Sequence, residues 1–262
     1  MDASATYVYC VARASAKPRA SRAPAGLPGA TPPRLLDAGG SVWIVCASVP
    51  LTSYGPAVLE SSLRDLAWVG DIAVAHESIV EHFAQQKNVT VVPMKLFTMF
   101  SSEDRAREAM RARRQEILAA VRRISGCEEW GVRITSSGGS ITGRAAVLGP
   151  APTTPTSGVA FLTAKKEARD LARERSRTAA DSAEHAYSTL SAISRDARRR
   201  DDAPEGAVAP LLDAAFLVPT ARRSRFKAAA RKLAVAATKT GTEVTVTGPW
   251  PAYNFVQEPA RQ

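Results

Sequence analysis

The sequence predicts an α+β protein in which two small mixed units are joined by a long helix. Three observations lead to this prediction. Residues 163–200 form one helical pattern without Gly or Pro. Short β-branched and aromatic runs alternate with helical patterns on both sides of it. The length of 262 residues suits one large domain or two ordinary domains.

The amino-terminal part contains the signals of four strands. Residues 41–49 are so continuously apolar that this strand should be central in its sheet. Pro93 removes a backbone donor from the next run, so we expect an edge, a bulge or a break there. Residues 15–40 are rich in Pro and Gly and predict a loop. The four predicted strands are residues 6–12, 41–49, 89–100 and 127–135.

Helical patterns fill the spaces between these strands. Residues 56–66 predict a short helix, and residues 71–86 and 102–124 place apolar side chains three and four positions apart. Ser101 or Ser102 is a credible N-cap for the last of these helices. The order β-β-α-β-α-β, with the helices able to cover one face of a four-stranded sheet, predicts a ferredoxin-like domain with an altered start over residues 1–135.

The carboxy-terminal part predicts a smaller unit. Residues 136–158 are rich in Gly, Pro, Ser and Thr, which is typical of a flexible linker. After the long helix, residues 211–218 predict a strand, residues 222–238 a helix and residues 243–247 another strand. We therefore expect a second domain over residues 159–262, which we interpret as a second ferredoxin-like half.

The predicted long helix needs a surface to lie against. It would span about 57 Å, and its stripe of mostly Ala side chains buries little apolar area. Ala179, Ala183 and Ala186 lie at i, i+4 and i+7, where small side chains let another element approach closely. We expect this stripe to dock on the carboxy-terminal half of the chain or on a partner protein, and these three alanines are the predicted partner-binding residues.

The net charge favours acidic partners without selecting one. The chain carries 35 Lys and Arg against 25 Asp and Glu, a formal net charge of +10, which suits nucleic acid, an anionic membrane or an acidic protein. The candidate strands hold Trp43, Phe97 and Phe100 but lack the RNP1 pattern of an RNA-binding sheet. Residues 198–200, three arginines, fit better as the cationic end of the long helix. Nucleic-acid binding is therefore an alternative function, and an unfavoured one.

No constellation of catalytic or metal-ligating residues emerges from the sequence. His76 and His82 are six positions apart, about 120° around a helix, whereas a zinc-binding helix needs two His four positions apart. Glu128 and Glu129 are adjacent on a strand and point to opposite faces, so they cannot act together as acid and base on one substrate. We expect no catalytic, cofactor or metal site and no enzyme.

Cysteine usage and hydropathy indicate a cytoplasmic protein. The three cysteines, Cys10, Cys46 and Cys127, are far apart and lie in apolar runs, as expected in a reducing compartment. The sequence contains no run of about 18 apolar residues, the length that a membrane span requires. We therefore expect no membrane partner.

Four stretches, taken together, resemble the gas vesicle protein F/L (GvpF/GvpL) family, accessory proteins of gas vesicle formation. They occur in the family's order along the chain, and the closing pattern Gly-Pro-Trp-Pro-x-Tyr-x-Phe makes the combination specific. Cys10, where the family often has Gly, and the longer Pro-rich loop after the first strand depart from the family pattern. The stretches are residues 7–9, residues 63–68 with 76–77 and 90–96, residues 126–133, and residues 214–218 with 247–255.

The resemblance implies two domains related to the ferredoxin-like fold and a non-enzymatic role in gas vesicle assembly, of the F type or the L type. Its partners would be the gas vesicle shell protein and other accessory proteins, and the family offers no catalytic residues. The motif residues fit mainly as core. We expect Trp250, Tyr253 and Phe255 to cover the edge of the last sheet, where burying each ring contributes about 2–3 kcal/mol.

Overall fold

A computed structural model describes residues 3–136, 158–200 and 209–256. Within these residues the protein is a mixture of helices with two antiparallel sheets, which confirms the predicted α+β class. Contacts divide the chain into two compact units. One unit comprises Met1–Glu129 with Pro249–Gln262, and the other comprises Trp130–Gly248. Each unit has its own sheet and is described by itself.

The sheet of the first unit contains β1 (Ser4–Arg13), β2 (Arg34–Gly39), β3 (Val42–Pro50), β4 (Thr90–Pro93) and β5 (Met99–Phe100). The strand order is β2-β3-β1-β4, and β5 also pairs with β1. Because β1 is antiparallel to both β3 and β4, those two strands run parallel on either side of it. The centre of the sheet is therefore formed by β1 and β3, whose apolar runs are almost entirely buried.

The helices of the first unit are α1 (Leu51–Tyr54), α2 (Pro56–Ser62), α3 (Leu66–Ala84), α4 (Glu103–Ala112) and α5 (Arg114–Ile124). Asp65 caps α3, since its carboxylate accepts from the backbone N–H groups of Ala67 and Trp68. Ser102 caps α4 by accepting from the Arg105 N–H, which confirms the predicted N-cap. The single helix predicted over residues 102–124 is two helices that meet at Arg113.

Two strand predictions for this unit are wrong in part. The predicted loop over residues 15–40 contains β2, a short edge strand. The predicted fourth strand, residues 127–135, is a strand of the second sheet, because Trp130, Val132 and Ile134 pack in the core of the second unit. The break expected at Pro93 is confirmed, since β4 ends there and β5 begins only at Met99.

The second unit contains β6 (Cys127–Ser136), α6 (Gly158–Ser191), β7 (Asp196–Arg199), β8 (Leu212–Pro219), α7 (Arg223–Ala237) and β9 (Thr242–Trp250). The chain order is β-α-β-β-α-β, and the strand order is β7-β8-β6-β9. The long helix α6 thus connects two strands of one sheet. The prediction that it joins the two units is wrong.

The long helix also ends earlier than predicted. Residues 196–199 form β7 instead of the last helical turn, and they pair antiparallel with β8 from Asp196 opposite Leu217 to Arg199 opposite Ala214. The Arg200 N–H continues this pairing by donating to the Asp213 carbonyl at 2.8 Å. Sheet pairing outweighs local helix propensity here, so residues 198–200 do not form a cationic helix end.

The two units do not have the bounds of the predicted domains 1–135 and 159–262. The chain enters the second unit inside β6, between Glu129 and Trp130, and returns to the first unit at Pro249. Most of the predicted linker, residues 136–158, lies outside the described residues.

The aromatic residues near the carboxy terminus do not cover the last sheet as predicted. Trp250 is 45% exposed, whereas Phe255 is fully buried. Tyr253 and Phe255 belong to the first unit, where Tyr253 packs against the core that contains Tyr7, Tyr9 and Ile79. Pro249 and Pro251 flank Trp250, and the chain leaves the sheet at this point.

Candidate functional site

The predicted partner-binding alanines lie in the carboxy-terminal half of α6 and are covered by their own unit. Ala179, Ala183 and Ala186 are 6%, 2% and 2% exposed. Ala183 and Ala186 belong to the core of the second unit, which also contains Phe216 and Phe226. Of the two docking surfaces that we expected, the carboxy-terminal half of the chain is the one that these side chains contact. Their role in binding a partner stays a prediction.

The helix face next to these alanines is held in place by polar contacts with β7. Arg199 lies over the ring of Tyr187, with its guanidinium carbon 4.1 Å from the ring centroid, and it also donates to Glu184 at 2.5 Å. The Tyr187 hydroxyl donates to the Ala197 carbonyl. These contacts fix this half of α6 on the sheet.

A groove of about 340 Å³ runs between α6 and α7. Ala186, Ala229, Leu233 and Ala236 form much of its apolar lining, and polar side chains such as His185 are also found there. The groove is therefore lined by small apolar side chains from both helices, and Ala186 belongs both to this lining and to the buried stripe.

The amino-terminal half of α6 is the most exposed regular element that the structure describes. Every side chain of residues 162–178 is exposed, including Leu162 at 65% and Leu171 at 49%. This segment is about 26 Å long and carries six basic and three acidic residues. Ala164, Ala168 and Leu171 lie at i, i+4 and i+7 along it. A partner that approaches this segment would meet a narrow apolar stripe between charged faces.

His76 is a buried side chain within a hydrogen-bonded network. The Phe97 N–H donates to the Tyr7 hydroxyl at 3.3 Å, and that hydroxyl lies 2.8 Å from His76 Nδ1. Burial lowers the pKa of His76 to about 4, an effect that the Met94 backbone partly offsets. Burial also raises the pKa of Tyr7. The network therefore holds a neutral imidazole and a neutral phenol at neutral pH.

His82, the second His that we considered as a zinc ligand, has a different partner. His82 lies near the Arg19 carbonyl, with its Nε2 3.2 Å from that oxygen. Across the described ranges, no three side chains of His, Cys, Asp or Glu come together as metal ligands would. The same residues include no helix with the length and the apolar character that a membrane crossing requires.

Two buried carboxylates organise polar contacts: Asp213, which sequence reasoning missed, and Glu129, which it considered only as a catalytic acid. Asp213 accepts from Arg133 Nε at 2.9 Å and from Arg200 Nε at 2.7 Å, so it ties β6 and β8 to the end of β7. Glu129 accepts from the Asn254 backbone and side-chain nitrogens. Asp213 thus accepts from two guanidinium groups, and Glu129 accepts from the backbone and the side-chain amide of one residue. That arrangement suits structural cross-linking rather than acid-base catalysis.

Comparisons with known proteins agree with one another. A sequence model described as gas vesicle synthesis protein GvpL/GvpF matches residues 5–257. Gas vesicle protein L of Streptomyces sp. (strain CB03234) is 30% identical over 256 residues, which cover 95% of this chain and 91% of that protein.

Solved structures support the same architecture. The crystal structure of the gas vesicle protein GvpF from Anabaena sp. PCC7120 superposes with a TM-score of 0.66 at 14% identity, covering 99% of this chain and 98% of that one. The crystal structure of GvpF from Microcystis aeruginosa gives a TM-score of 0.63 at 13% identity, covering 97% and 99%. At these identities the likeness concerns the fold.

Proposed function

Because this chain belongs to the GvpL/GvpF family of gas vesicle synthesis proteins, we propose that it is a non-enzymatic accessory protein of gas vesicle assembly. It binds the gas vesicle shell protein and other accessory proteins, in the cytoplasm and in association with the vesicle. The observation that carries this proposal is the family match over residues 5–257.

The exposed half of α6 supports a binding role. A protein that handles an apolar subunit must offer some apolar surface while keeping enough charge to stay dispersed. Residues 162–178 combine the stripe Ala164, Ala168 and Leu171 with charges of both signs on the other faces. We assign partner contact first to this segment, and the groove beside Ala186 extends it. Ala179, Ala183 and Ala186 stay our proposed partner-binding residues, and of the three Ala186 lines that groove.

We also propose a specific fold within the observed α+β class. We propose that both units are ferredoxin-like. The β-α-β-β-α-β succession of the second unit supports this proposal. In the first unit, β3 and β4 are parallel strands on either side of β1, and the chain passes from one to the other through α3. This crossover supports the proposal.

A capture experiment with purified proteins tests the function. The full chain, immobilised, is offered the shell subunit and each other gas vesicle protein in turn, and we expect the shell subunit and at least one accessory protein to be retained. DNA and RNA binding measured across salt concentrations tests the alternative. Non-specific electrostatic binding is typically ~10⁻⁴–10⁻⁶ M. Sub-micromolar, sequence-selective affinity at physiological salt, with no gas vesicle protein captured, would overturn the proposal.

A further inference from the structure

Helix α7 has a charge distribution unlike that of the other basic helices. Its exposed cations include Arg225, Lys227, Arg231, Lys232 and, in the 3-10 turn that follows, Lys239. No Asp or Glu occurs between Asp213 and Glu243. These five cations form no ion pair within the described part of the chain, whereas on α4 and α5 the Arg residues pair with neighbouring acids, as in Arg105–Glu108, Arg107–Asp104 and Arg113–Glu116.

The placement of these cations works against the stability of the helix itself. The amino-terminal end of a helix carries a partial positive charge, which acids stabilise and bases destabilise. The first turn of α7 contains no acid, and the exposed Arg225 lies at this end. Arg222, the N-cap residue, makes no side-chain capping bond and instead donates to the Ile193 carbonyl at 3.2 Å. By contrast, α4 begins with a Ser102 cap followed by Glu103 and Asp104. A sequence that departs from local helix rules on an exposed surface points to an interaction outside the chain.

The exposed face of α7 carries small side chains along its outermost line. The buried side of the helix is formed by Phe226, Ala230 and Ala237. At about 100° per residue, Ser224, Ala228 and Val235 lie on the opposite side. All three side chains are exposed, Val235 to 68%. The outermost line of the helix is therefore mostly small and weakly apolar.

The cations border this line on both sides. Arg225, Lys232 and Lys239 are spaced by seven residues and lie on one flank. Lys227 lies on the other flank, where its Nζ is also 5.9 Å from the Trp130 ring centroid, and Arg231 interrupts the line between Ala228 and Val235. A small apolar line between charged flanks is the surface that one helix offers to another in coiled-coil packing, where the flanking charges select the partner. Phosphate groups of nucleic acid would instead be met best by cations on the outermost line.

We propose that the exposed face of α7 docks an amphipathic helix of a partner protein whose flanking positions are acidic. The small side chains of Ser224, Ala228 and Val235 admit the apolar stripe of the partner helix. The cations beside them, Arg225 and Lys232 above all, pair with its acids. Seven residues of helix rise by about 10 Å, so Arg225 and Lys232 match acids that are one heptad apart. The proposal concerns α7 alone and does not depend on which gas vesicle proteins the chain binds.

The test uses the full chain and a synthetic amphipathic peptide of about four heptads with Ala and Leu in its apolar stripe and Glu at its flanking positions. A matched peptide has Gln in place of Glu. We expect the Glu peptide to bind and the Gln peptide to bind at least about tenfold more weakly, because attraction between the flanks is lost. Equal binding of the two peptides, or no binding of either, would overturn the proposal.

Two variants locate the site. Arg225→Glu combined with Lys232→Glu should weaken binding of the Glu peptide by at least about tenfold. Arg64→Glu combined with Lys87→Glu, which changes the net charge equally at exposed positions of the first unit, should leave it unchanged. Equal losses in both variants would mean that the peptide senses only overall charge, and the α7 site would be rejected. Circular dichroism and thermal melting check that both variants fold.

A third variant separates helix packing from electrostatic attraction. Ala228→Arg adds bulk on the outermost line and also adds a positive charge. Packing of a partner helix predicts weaker binding of the Glu peptide, whereas attraction alone predicts stronger binding. If Ala228→Arg binds the Glu peptide more tightly, or if the parent chain prefers duplex DNA to this peptide at physiological salt, the helix-docking proposal fails.

Discussion

The buried imidazole of His76 links the stability of the first unit to pH. Its pKa is lowered to about 4 by burial, from 6.5, so between these values the unfolded chain binds a proton that the folded unit does not. The free energy of unfolding therefore falls as pH decreases through this window, by about 3 kcal/mol in total. Above pH 6.5 this contribution is constant. Urea denaturation at a series of pH values measures it.

The residue responsible can be identified by substitution. His76→Gln keeps an acceptor for the Tyr7 hydroxyl but cannot titrate in this range, so its stability should change less between pH 6.5 and 4. His185→Gln is the control, because His185 is exposed on α6. If the His76→Gln variant loses stability with acid as steeply as the parent chain, another group controls the acid response.

Two aromatic residues five positions apart should differ sharply in their contribution to stability. Phe255 is fully buried and Trp250 is 45% exposed. We predict that Phe255→Ala costs about 3–5 kcal/mol of unfolding free energy and that Trp250→Ala costs clearly less. Thermal and urea unfolding of the two variants compare them. A larger loss for Trp250→Ala would show that its ring has a buried environment in solution.

The two halves of α6 should respond differently to the same substitution. Ala183→Glu places a carboxylate where the side chain is 2% exposed, so we predict a clear loss of thermal stability. Ala168→Glu makes the same change where the side chain is exposed, and the variant should melt like the parent chain. If the exposed half binds a partner, the Ala168→Glu variant should also fail to capture the shell subunit. Equal melting temperatures for the two variants would contradict the burial of Ala183.

Elements with strong periodicity were predictable from the sequence alone. The apolar runs of β1, β3 and β8 and the helical spacing of α3 and α7 were recognised because each pattern contains its own burial signal. The Ser102 cap was recognised for a similar reason, since a cap is a local feature. In these elements the predicted and observed bounds differ by a few residues.

Elements that depend on distant partners were not predictable in the same way. β2 and β7 are short edge strands, and the Asp and Arg residues of β7 carry no apolar signal. The membership of β6 in the second sheet and the position of Phe255 in the first unit follow from contacts between residues that are distant in the chain, such as Arg133 with Asp213 and Arg123 with Phe255. Periodicity predicts the apolar stripe of α6, but it does not indicate which half of the helix is buried against the rest of the chain. The absence of acids between Asp213 and Glu243, which the sequence shows, is the signal that sets α7 apart from the other basic helices.

At the scale of the whole molecule, the first unit is formed by both ends of the chain. Residues near the carboxy terminus contribute contacts to it, since Asn254 donates to Glu129 and Arg123 donates to the Phe255 carbonyl. We predict that a chain ended at Gly248 loses hydrogen-exchange protection in β1 and β3, while β8 keeps its protection. Hydrogen exchange followed by mass spectrometry measures each strand. Equal loss in both sheets would show that the two units unfold as one.

This chain path also determines the order in which the protein can fold during its synthesis. A ribosome delivers β1 first, yet Phe255 emerges only after all of the second unit has been translated. The second unit, which is continuous from Trp130 to Gly248, can thus be complete while the earlier-made unit still lacks part of its core. Nascent domains generally fold in the order of their synthesis. Here the later-made unit can finish first, and a chaperone that protects the nascent chain would have to cover β1 and β3 throughout that interval.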